Sequence, residues 1–253
     1  MEKNKFEASI KAGKILAEVR DIVLAAVNPG ISFEELEAIA QREIKKRGAK
    51  PSFTTVADYQ WATCITKNEG CCHGIPREKK VAKGDLITVD VGVLYEGFHS
   101  DTAATVCAGS CTKEQEEFLL AGKEALQNAI QQAQPGNSIY DISKAMQDTI
   151  ESSGYSVVYQ LTGHGIGRKL HEPPNIPCFA DEKNKKYVLK ADKMIAIEIM
   201  YAKGKPSLVL DEDGWTYSTE DGSWTGMFEH TVLITEHGPE VLTLSPLENR
   251  AKI

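Results

Sequence analysis

Residues 29–35 read Pro-Gly-Ile-Ser-Phe-Glu-Glu, and residues 135–141 read Pro-Gly-Asn-Ser-Ile-Tyr-Asp. Both stretches predict the start of a helix, because a Pro-Gly turn precedes a serine that can cap the first turn and an acidic residue follows three positions later. Both predicted helices end at a glycine, Gly48 or Gly154, and the spacing from the first glycine to the last is 18 residues in each case. The chain therefore contains an internal repeat.

The repeat extends to both sides of these two helices. A longer amphipathic helix is predicted before each of them, because apolar residues recur there at helical spacing. These residues are Phe6, Ile10, Leu16, Val19 and Val23 in the first half, and Phe118, Leu119, Ala125, Leu126 and Ile130 in the second. Downstream of the helices, His73-Gly74-Ile75 is aligned with His164-Gly165-Ile166.

Two strand-like runs then follow in each half, and each run carries one carboxylate. The runs are residues 86–91, 99–103, 194–200 and 228–232, and their carboxylates are Asp90, Asp101, Glu198 and Glu229 in that order. Aligned features in the same order predict a pseudo-twofold α/β (α+β) fold, in which two helix pairs pack on one face of a largely antiparallel sheet. We expect a single domain made of two pseudo-symmetric halves, about residues 1–110 and 111–253.

The four acids are unusual because a carboxylate inside an apolar strand is costly unless its charge is compensated. Asp90 lies between two valines and Glu198 between two isoleucines, so the alternation of side chains directs each acid away from its bulky neighbours. Any one acid is also compatible with an exposed edge strand or with a buried ion pair to arginine. A pseudo-twofold would instead bring all four together, where they would repel one another and raise their pKa values. Two divalent cations would remove that repulsion.

The bulk composition is that of a globular protein and excludes several other classes. The 253 residues are enough for a sizeable core. The net charge of −7 argues against a nucleic-acid partner, since phosphate binding requires a basic face. The N-terminal residues lack the apolar segment of a secretory signal, and no apolar run is long enough for a membrane span. We therefore expect a cytoplasmic protein with no membrane partner, whose six cysteines are free thiols.

The ordered motifs resemble those of the methionine aminopeptidase branch of the pita-bread metallopeptidases, across nearly the whole chain. They are Asn-Glu-Gly-Cys-Cys-His-Gly-Ile-Pro at 68–76, Asp-Val-Gly at 90–92, Gly-Phe-His-Ser-Asp-Thr at 97–102, Gly-His-Gly-Ile-Gly-Arg at 163–168, His-Glu at 171–172, Glu198, and Phe-Glu-His-Thr at 228–231. A single Gly-His-Gly motif would be weak evidence for this resemblance, whereas the ordered set of motifs is specific for the family. The chain lacks long insertions, and in this respect it is similar to the short bacterial form, type I.

This resemblance implies a site for two divalent metal ions. Its five ligands would be Asp90, Asp101, His164, Glu198 and Glu229. Asp101 and Glu229 would bridge both ions, whereas Glu198 and His164 would bind one ion and Asp90 the other. Four carboxylates and one imidazole suit Co(II), Mn(II) or Fe(II), with Zn(II) as an alternative, because the set lacks the thiolates that select strongly for Zn or Cu.

The resemblance also implies an activity. It is the hydrolysis of the N-terminal methionine from nascent proteins and from peptides with a small second residue, by a hydroxide that bridges the two ions. Glu198 would shuttle the proton, His171 would stabilise the developing oxyanion, and His73 would bind the substrate backbone. The methionine pocket would be lined by Tyr59, Cys64 and Trp215, for each of which a plain core role is the alternative.

Some positions depart from the family pattern. Ile199 follows the strand glutamate where the family commonly has proline, and Leu170 precedes the second histidine where the family commonly has phenylalanine. Residues 52–61 are a divergent version of the pocket-lining loop. These departures affect the shape of the pocket rather than the ligands. His99 and His230 flank ligands, and we expect them to point to the opposite face and to be structural.

The sequence leaves two other functions as alternatives. An Xaa-Pro peptidase of the same fold usually carries a separate N-terminal domain, for which a repeat that starts almost at Met1 leaves no room. A non-catalytic peptide-binding relative would have lost metal ligands, whereas all five positions and both accessory histidines are present. We expect a monomer that acts on N-terminal Met peptides and nascent chains, with transient ribosome contact as a further possibility at a basic stretch formed by Lys183, Lys185, Lys186 and Lys190.

Overall fold

The computed structural model describes residues 2–77 and 79–245. This part of the chain contains two helix pairs, α1 (Glu2–Ala26) with α2 (Phe33–Lys46), and α3 (Lys113–Gln131) with α4 (Ile139–Ser152). No helix in it is both long and apolar enough to cross a membrane.

The second helix of each pair begins and ends where the repeat predicts. At α2, the Glu35 N–H donates to the Ser32 hydroxyl (3.1 Å) and the Ser32 N–H donates to the Glu35 carboxylate (2.7 Å), which is the expected capping box. Gly48 and Gly154 follow α2 and α4 with φ values of +72° and +82°. Glycine adopts this left-handed conformation without steric cost, so each helix stops there.

Thirteen strands are present in the described residues, and all their pairings are antiparallel. Ten of them form one sheet: β1 (Lys50–Pro51), β2 (Thr63–Lys67), β4 (Leu86–Tyr95), β5 (Phe98–Cys107), β6 (Ser156–Val157), β7 (Thr162–Gly165), β8 (Glu172–Pro177), β9 (Lys193–Ala202), β12 (Thr225–Thr235) and β13 (Gly238–Val241). The other three, β3 (Gly70–Cys72), β10 (Leu208–Leu210) and β11 (Tyr217–Thr219), form a small second sheet. The main path through the large sheet is β1-β4-β5-β12-β9-β7-β8.

The two halves of the repeat meet at the centre of the large sheet. β5 from the first half pairs with β12 from the second, with Phe228 opposite Ala104. Outward from this seam, β4 and β9 occupy equivalent places, and β2 pairs with β4 as β7 pairs with β9. The predicted pseudo-twofold α/β fold with a largely antiparallel sheet is confirmed.

Strand pairing corrects one part of the predicted repeat. His164 lies on β7, whose counterpart in the first half is β2, whereas His73 follows β3 in the small sheet. The alignment of His73-Gly74-Ile75 with His164-Gly165-Ile166 is therefore wrong. The two halves are also only approximately equivalent, because Glu198 lies opposite Glu229 whereas Gly92, not Asp90, lies opposite Asp101.

Alternation along the two central strands separates the helices from the acids. On β5, Thr102 faces α1 and accepts a hydrogen bond from the buried Arg20 (3.1 Å). On β12, Phe228 faces α3, where it packs against Gly122. Their sequence neighbours Asp101 and Glu229 point to the other face of the sheet. The helices thus cover one face, and the acids lie together on the opposite face.

Candidate active site

The four strand carboxylates are buried together beneath a small cavity of about 130 Å³. Asp90, Asp101, Glu198 and Glu229 all line this cavity and are at most 7% exposed. An exposed edge strand with solvated acids, one of the alternatives left open by the sequence, is thereby excluded. Ligand atoms of Asp101, His164 and Glu229 lie within 4.8 Å of one another, which is close enough to hold one metal ion.

His164 presents one ring nitrogen to this group. Its Nδ1 lies 2.9 Å from the carbonyl oxygen of Gly165, an acceptor, so Nδ1 carries the proton. Nε2 then has a free lone pair, and it lies 3.9 Å from Glu198 Oε1 and 4.0 Å from Asp101 Oδ2. Burial lowers the pKa of His164 to about 4, so the ring is neutral near pH 7 and Nε2 can ligate a cation.

The electrostatics of the acids differ sharply from those of exposed carboxylates. Burial raises the pKa of Asp101 to about 7. Burial, followed by repulsion from neighbouring carboxylates, raises the pKa values of Asp90, Glu198 and Glu229 well above their ordinary range. Like charges crowded in a dry site cannot all ionise without a compensating cation.

Two carboxylate oxygens lack partners within the described residues. Asp90 Oδ1 and Glu229 Oε1 are buried and accept no hydrogen bond there. Buried polar atoms are nearly always satisfied, so an orphaned oxygen among four acids fits a ligand that a cation would complete. Asp101 is oriented by the backbone, since its Oδ1 accepts a hydrogen bond from the Thr102 N–H (3.0 Å).

The two accessory histidines also line the cavity. The His171 ring stands edge-on to the His164 ring, with centroids 4.5 Å apart. His73 adopts φ +57° and contacts Tyr217 of the small sheet. Burial lowers the pKa values of both His73 and His171, so both are neutral at pH 7 and can donate or accept hydrogen bonds.

An apolar and aromatic wall closes the other side of the cavity. Tyr59 packs edge-on against Trp215 (centroids 5.0 Å apart), and its hydroxyl oxygen lies 3.2 Å from Cys64 Sγ. Burial, and then the charge of Asp90, raises the pKa of the Cys64 thiol, which therefore stays protonated and belongs to the wall. All three residues predicted for the methionine pocket thus lie in one wall beside the acids.

Five further residues line the cavity, of which the sequence pointed to Leu170 and to the loop that contains Phe53 and Val56, but not to Cys72 or Met227. Leu170 lies in the lining, so its departure from the usual phenylalanine bears directly on the pocket. Phe53 and Val56 come from the divergent 52–61 loop, whose position alone pointed to them. The lining is completed by Cys72 and Met227, for which no sequence signal was available beyond their positions next to His73 and near Glu229.

The two flanking histidines are both buried, but only one points as expected. His230 alternates with Glu229, and its Nδ1 lies 2.8 Å from the Thr243 hydroxyl. The orientation expected for His99 is wrong, because it lies two residues from Asp101 on β5 and therefore shares that residue's face. The His99 Nδ1 lies 2.6 Å from the Ser52 hydroxyl, so the ring anchors the start of the pocket loop.

Comparison with known proteins decides the family of this site. Residues 7–236 match metallopeptidase family M24. The chain belongs to this family. This chain is 44% identical over 241 residues to a methionine aminopeptidase of Aquifex aeolicus. The alignment covers 92% of this chain and 93% of the relative.

Solved structures agree with this assignment. The crystal structure of a methionine aminopeptidase from Thermotoga maritima superposes with a TM-score of 0.93 at 38% identity, over 96% of this chain and 97% of that one. A prolidase from Pyrococcus furiosus has a TM-score of 0.77 at 27% identity, and only 64% of that chain is covered. The predicted place in the methionine aminopeptidase branch of the pita-bread peptidases is confirmed, and this M24 chain is a hydrolase.

Proposed function

We propose that this chain removes the N-terminal methionine from nascent proteins and from peptides with a small second residue. The observation that carries the proposal is the buried group of four carboxylates and one imidazole beside an aromatic pocket. The acids and His164 supply a metal-dependent hydrolytic centre, and the wall of Tyr59, Cys64 and Trp215 supplies a place for one apolar side chain. Relatives that this chain matches over nearly their whole length are named methionine aminopeptidases.

Two divalent ions fit the residues present. Asp101 and Glu229 would bridge them, His164 and Glu198 would hold one, and Asp90 would hold the other. The unpartnered oxygens of Asp90 and Glu229 support this assignment, since each has coordination capacity to spare. The donor set favours Co(II), Mn(II) or Fe(II), with Zn(II) as an alternative. When bound, such ions polarise a carbonyl and lower the pKa of a water to about 7.

The chain's own side chains would carry the proton transfers and orient the substrate. Glu198 borders the cavity, so its carboxylate would take a proton from the attacking water and pass it to the leaving amine. Neutral His171 would donate an N–H to the oxygen on which negative charge develops. Neutral His73, which directly follows β3, would bind the substrate backbone next to the scissile bond.

The pocket explains why one apolar residue would be preferred at the N-terminus. A thioether chain is unbranched and polarisable, and it makes favourable contacts with aromatic edges such as those of Tyr59 and Trp215. The edge-on packing of these two rings would hold both aromatic edges on one side of the slot.

We extend the proposal to the domain organisation, oligomeric state and partners of the whole chain. The two halves would act as one catalytic domain, because the β5–β12 seam brings ligands from both into one site. We also infer a monomer in the cytoplasm. Transient ribosome contact would use the basic stretch on a 3₁₀-helix, Glu182–Lys186, together with Lys190 beyond it.

One experiment tests the function. The chelator-treated enzyme should cleave Met-Ala-Ser only after Co(II), Mn(II), Fe(II) or Zn(II) is restored, and an Xaa-Pro dipeptide should be a poor substrate under the same conditions. Cleavage of the Xaa-Pro dipeptide with no cleavage of Met-Ala-Ser would favour the prolidase-type alternative, and no cleavage of either would favour a non-catalytic peptide-binding relative.

A further inference from the structure

A carboxylate on α2 is buried behind the pocket wall, away from the four acids. Glu37 is 6% exposed. Its oxygens accept hydrogen bonds from the Ala62 N–H (2.7 Å), the Thr63 N–H (3.0 Å), the Thr63 hydroxyl (2.5 Å) and Gln41 Nε2 (2.6 Å). All four donors are uncharged, so the carboxylate is stabilised mainly by directed N–H and O–H groups, and it in turn fixes their positions.

The backbone held by Glu37 leads directly into the pocket. The Tyr59 hydroxyl donates to the Thr63 carbonyl oxygen (2.8 Å), which closes the segment 59–63 on itself. The next residue, Cys64, starts the cavity side of β2 and lies opposite Asp90 in the strand register. Tyr59 and Cys64 both line the cavity. The backbone at Ala62 and Thr63 therefore connects Glu37 to two residues of the wall.

We propose that Glu37 is a positioning residue that sets the shape of the pocket for the first residue of the substrate. It acts through Thr63 on Tyr59 and Cys64 and touches neither substrate nor metal. The inference rests on the proposed function, because it concerns the same pocket.

The substitution Glu37→Gln tests this role with little change in size. A carboxamide has one acceptor oxygen and an NH₂ group, so at least one of the two buried backbone N–H groups would lose its acceptor and face a donor. We expect the backbone at Ala62 and Thr63 to shift and the wall to loosen. The ratio of kcat/KM for Met-Ala-Ser to that for Leu-Ala-Ser should then fall by about tenfold, the lower end of what one misfitting methylene costs. KM for Met-Ala-Ser should rise, while kcat and bound metal stay within about twofold of wild type, since the acids keep their geometry.

Glu43→Gln is the matched control. Glu43 lies on the same helix, is 7% exposed, and pairs with Arg47 (2.8 Å). It should lower stability without changing the Met-to-Leu ratio. If Glu37→Gln does not fold, Thr63→Val replaces it, because this variant removes only the hydroxyl donor and should shift the ratio in the same direction.

The outcomes separate this inference from the proposed function. A wild-type enzyme with no preference for methionine would contradict the proposed function. A methionine-selective wild type, with Glu37→Gln and Thr63→Val as selective as Glu43→Gln, would overturn the role of Glu37 alone. A rise in KM that is accompanied by loss of metal would also overturn it, since the effect would then arise at the acids.

Discussion

Asp101 and Glu229 project from the two central strands toward the same ring nitrogen of His164. Because each would hold metal in the proposed site, Asp101→Ala or Glu229→Ala should lose most of the bound metal, by at least the roughly 10–100-fold in affinity that loss of an outer-shell partner costs. His73→Ala and His171→Ala should keep metal but lose about 10²–10³-fold in kcat. Elemental analysis beside peptide kinetics distinguishes the two groups. Metal loss in His73→Ala with full retention in Asp101→Ala would contradict the assignment.

The raised pKa values predict how pH acts on the metal-free protein. Above about pH 6.5 the folded carboxylates still hold protons that unfolded ones, with pKa values near 4, have released. The folded state then binds more protons than the unfolded state, so stability falls as the pH rises. Asp101, with a pKa of about 7, contributes up to neutrality, and the other three acids continue above it. His164, with a pKa of about 4, opposes this only below its ordinary value of 6.5.

Urea unfolding of chelator-treated protein between about pH 6.5 and 8 measures this effect. The free energy of unfolding should decrease across that window, and Mn(II) should restore more stability at the upper end than at the lower, because binding no longer competes with protons. Metal-free protein that becomes more stable between these two pH values would show that the acids are not crowded in solution.

The same residues show what a sequence can reveal about a site. The acids inside apolar strands were identifiable because burying a charge is costly unless that charge is compensated, and the recurrence of such acids in both halves pointed to a shared site. Phe53 and Met227 could not be assigned a role in the same way. An apolar residue in a loop or strand satisfies ordinary packing whether or not it borders a cavity, and only tertiary contacts distinguish the two cases.

Helix α3 packs on the sheet through a glycine. A Cβ at Gly122 would lie 2.5 Å from the Tyr201 hydroxyl and 2.6 Å from the Phe228 ring. The Tyr201 hydroxyl donates to the Phe118 carbonyl oxygen (2.6 Å), so it has little freedom to move aside. Gly122→Ala should therefore destabilise the fold by about 1–3 kcal/mol from overpacking, despite the better helix propensity of alanine. The urea midpoint measures this. Gln127→Ala, on the exposed side of α3, should change stability by less than about 0.5 kcal/mol, and equal midpoints for both variants would contradict the packing argument.

Elements differed in how well the sequence predicted them. The ends of α2 and α4 followed from local chemistry, since a capping serine and a left-handed glycine act within one turn. The small sheet of β3, β10 and β11 did not, because strands of three residues are too short for a periodic pattern and form only when the rest of the fold brings them together. For the same reason His73 was aligned with the wrong histidine, as sequence similarity could not show that it follows β3.

At the scale of the whole molecule, the proposed pocket would decide which N-terminal residue is accepted. Shortening or branching the first side chain should cost about 1–3 kcal/mol in kcat/KM relative to methionine, because the slot of Tyr59, Cys64 and Trp215 then leaves a void or a clash. Leu170, smaller than the usual phenylalanine, should leave norleucine and leucine peptides measurably active and phenylalanine peptides less so. Rates for the Met, norleucine, Leu and Phe series measure this. Equal rates for all four would mean that no methionine pocket of this kind exists.

In the proposed function, the second residue of the substrate would enter the same cavity beside the four carboxylates. A long, negatively charged residue there is opposed by its size and by like-charge repulsion. A Met-Glu peptide should therefore be cleaved at least about 10²-fold more slowly than Met-Ala or Met-Gly, the penalty expected for about 2.7 kcal/mol.

The chain itself provides a test, because its second residue is Glu2. Met1 lies outside the described residues, and its retention is a prediction from specificity alone. Intact-mass measurement of a Glu2→Ala protein, made in cells where the enzyme is active, should find Met1 removed, whereas Glu2→Gln should keep it because glutamine is as long as glutamate. A Glu2→Ala protein that retains Met1 would contradict the preference for a small second residue, and removal of Met1 from Glu2→Gln would show that charge rather than size sets it.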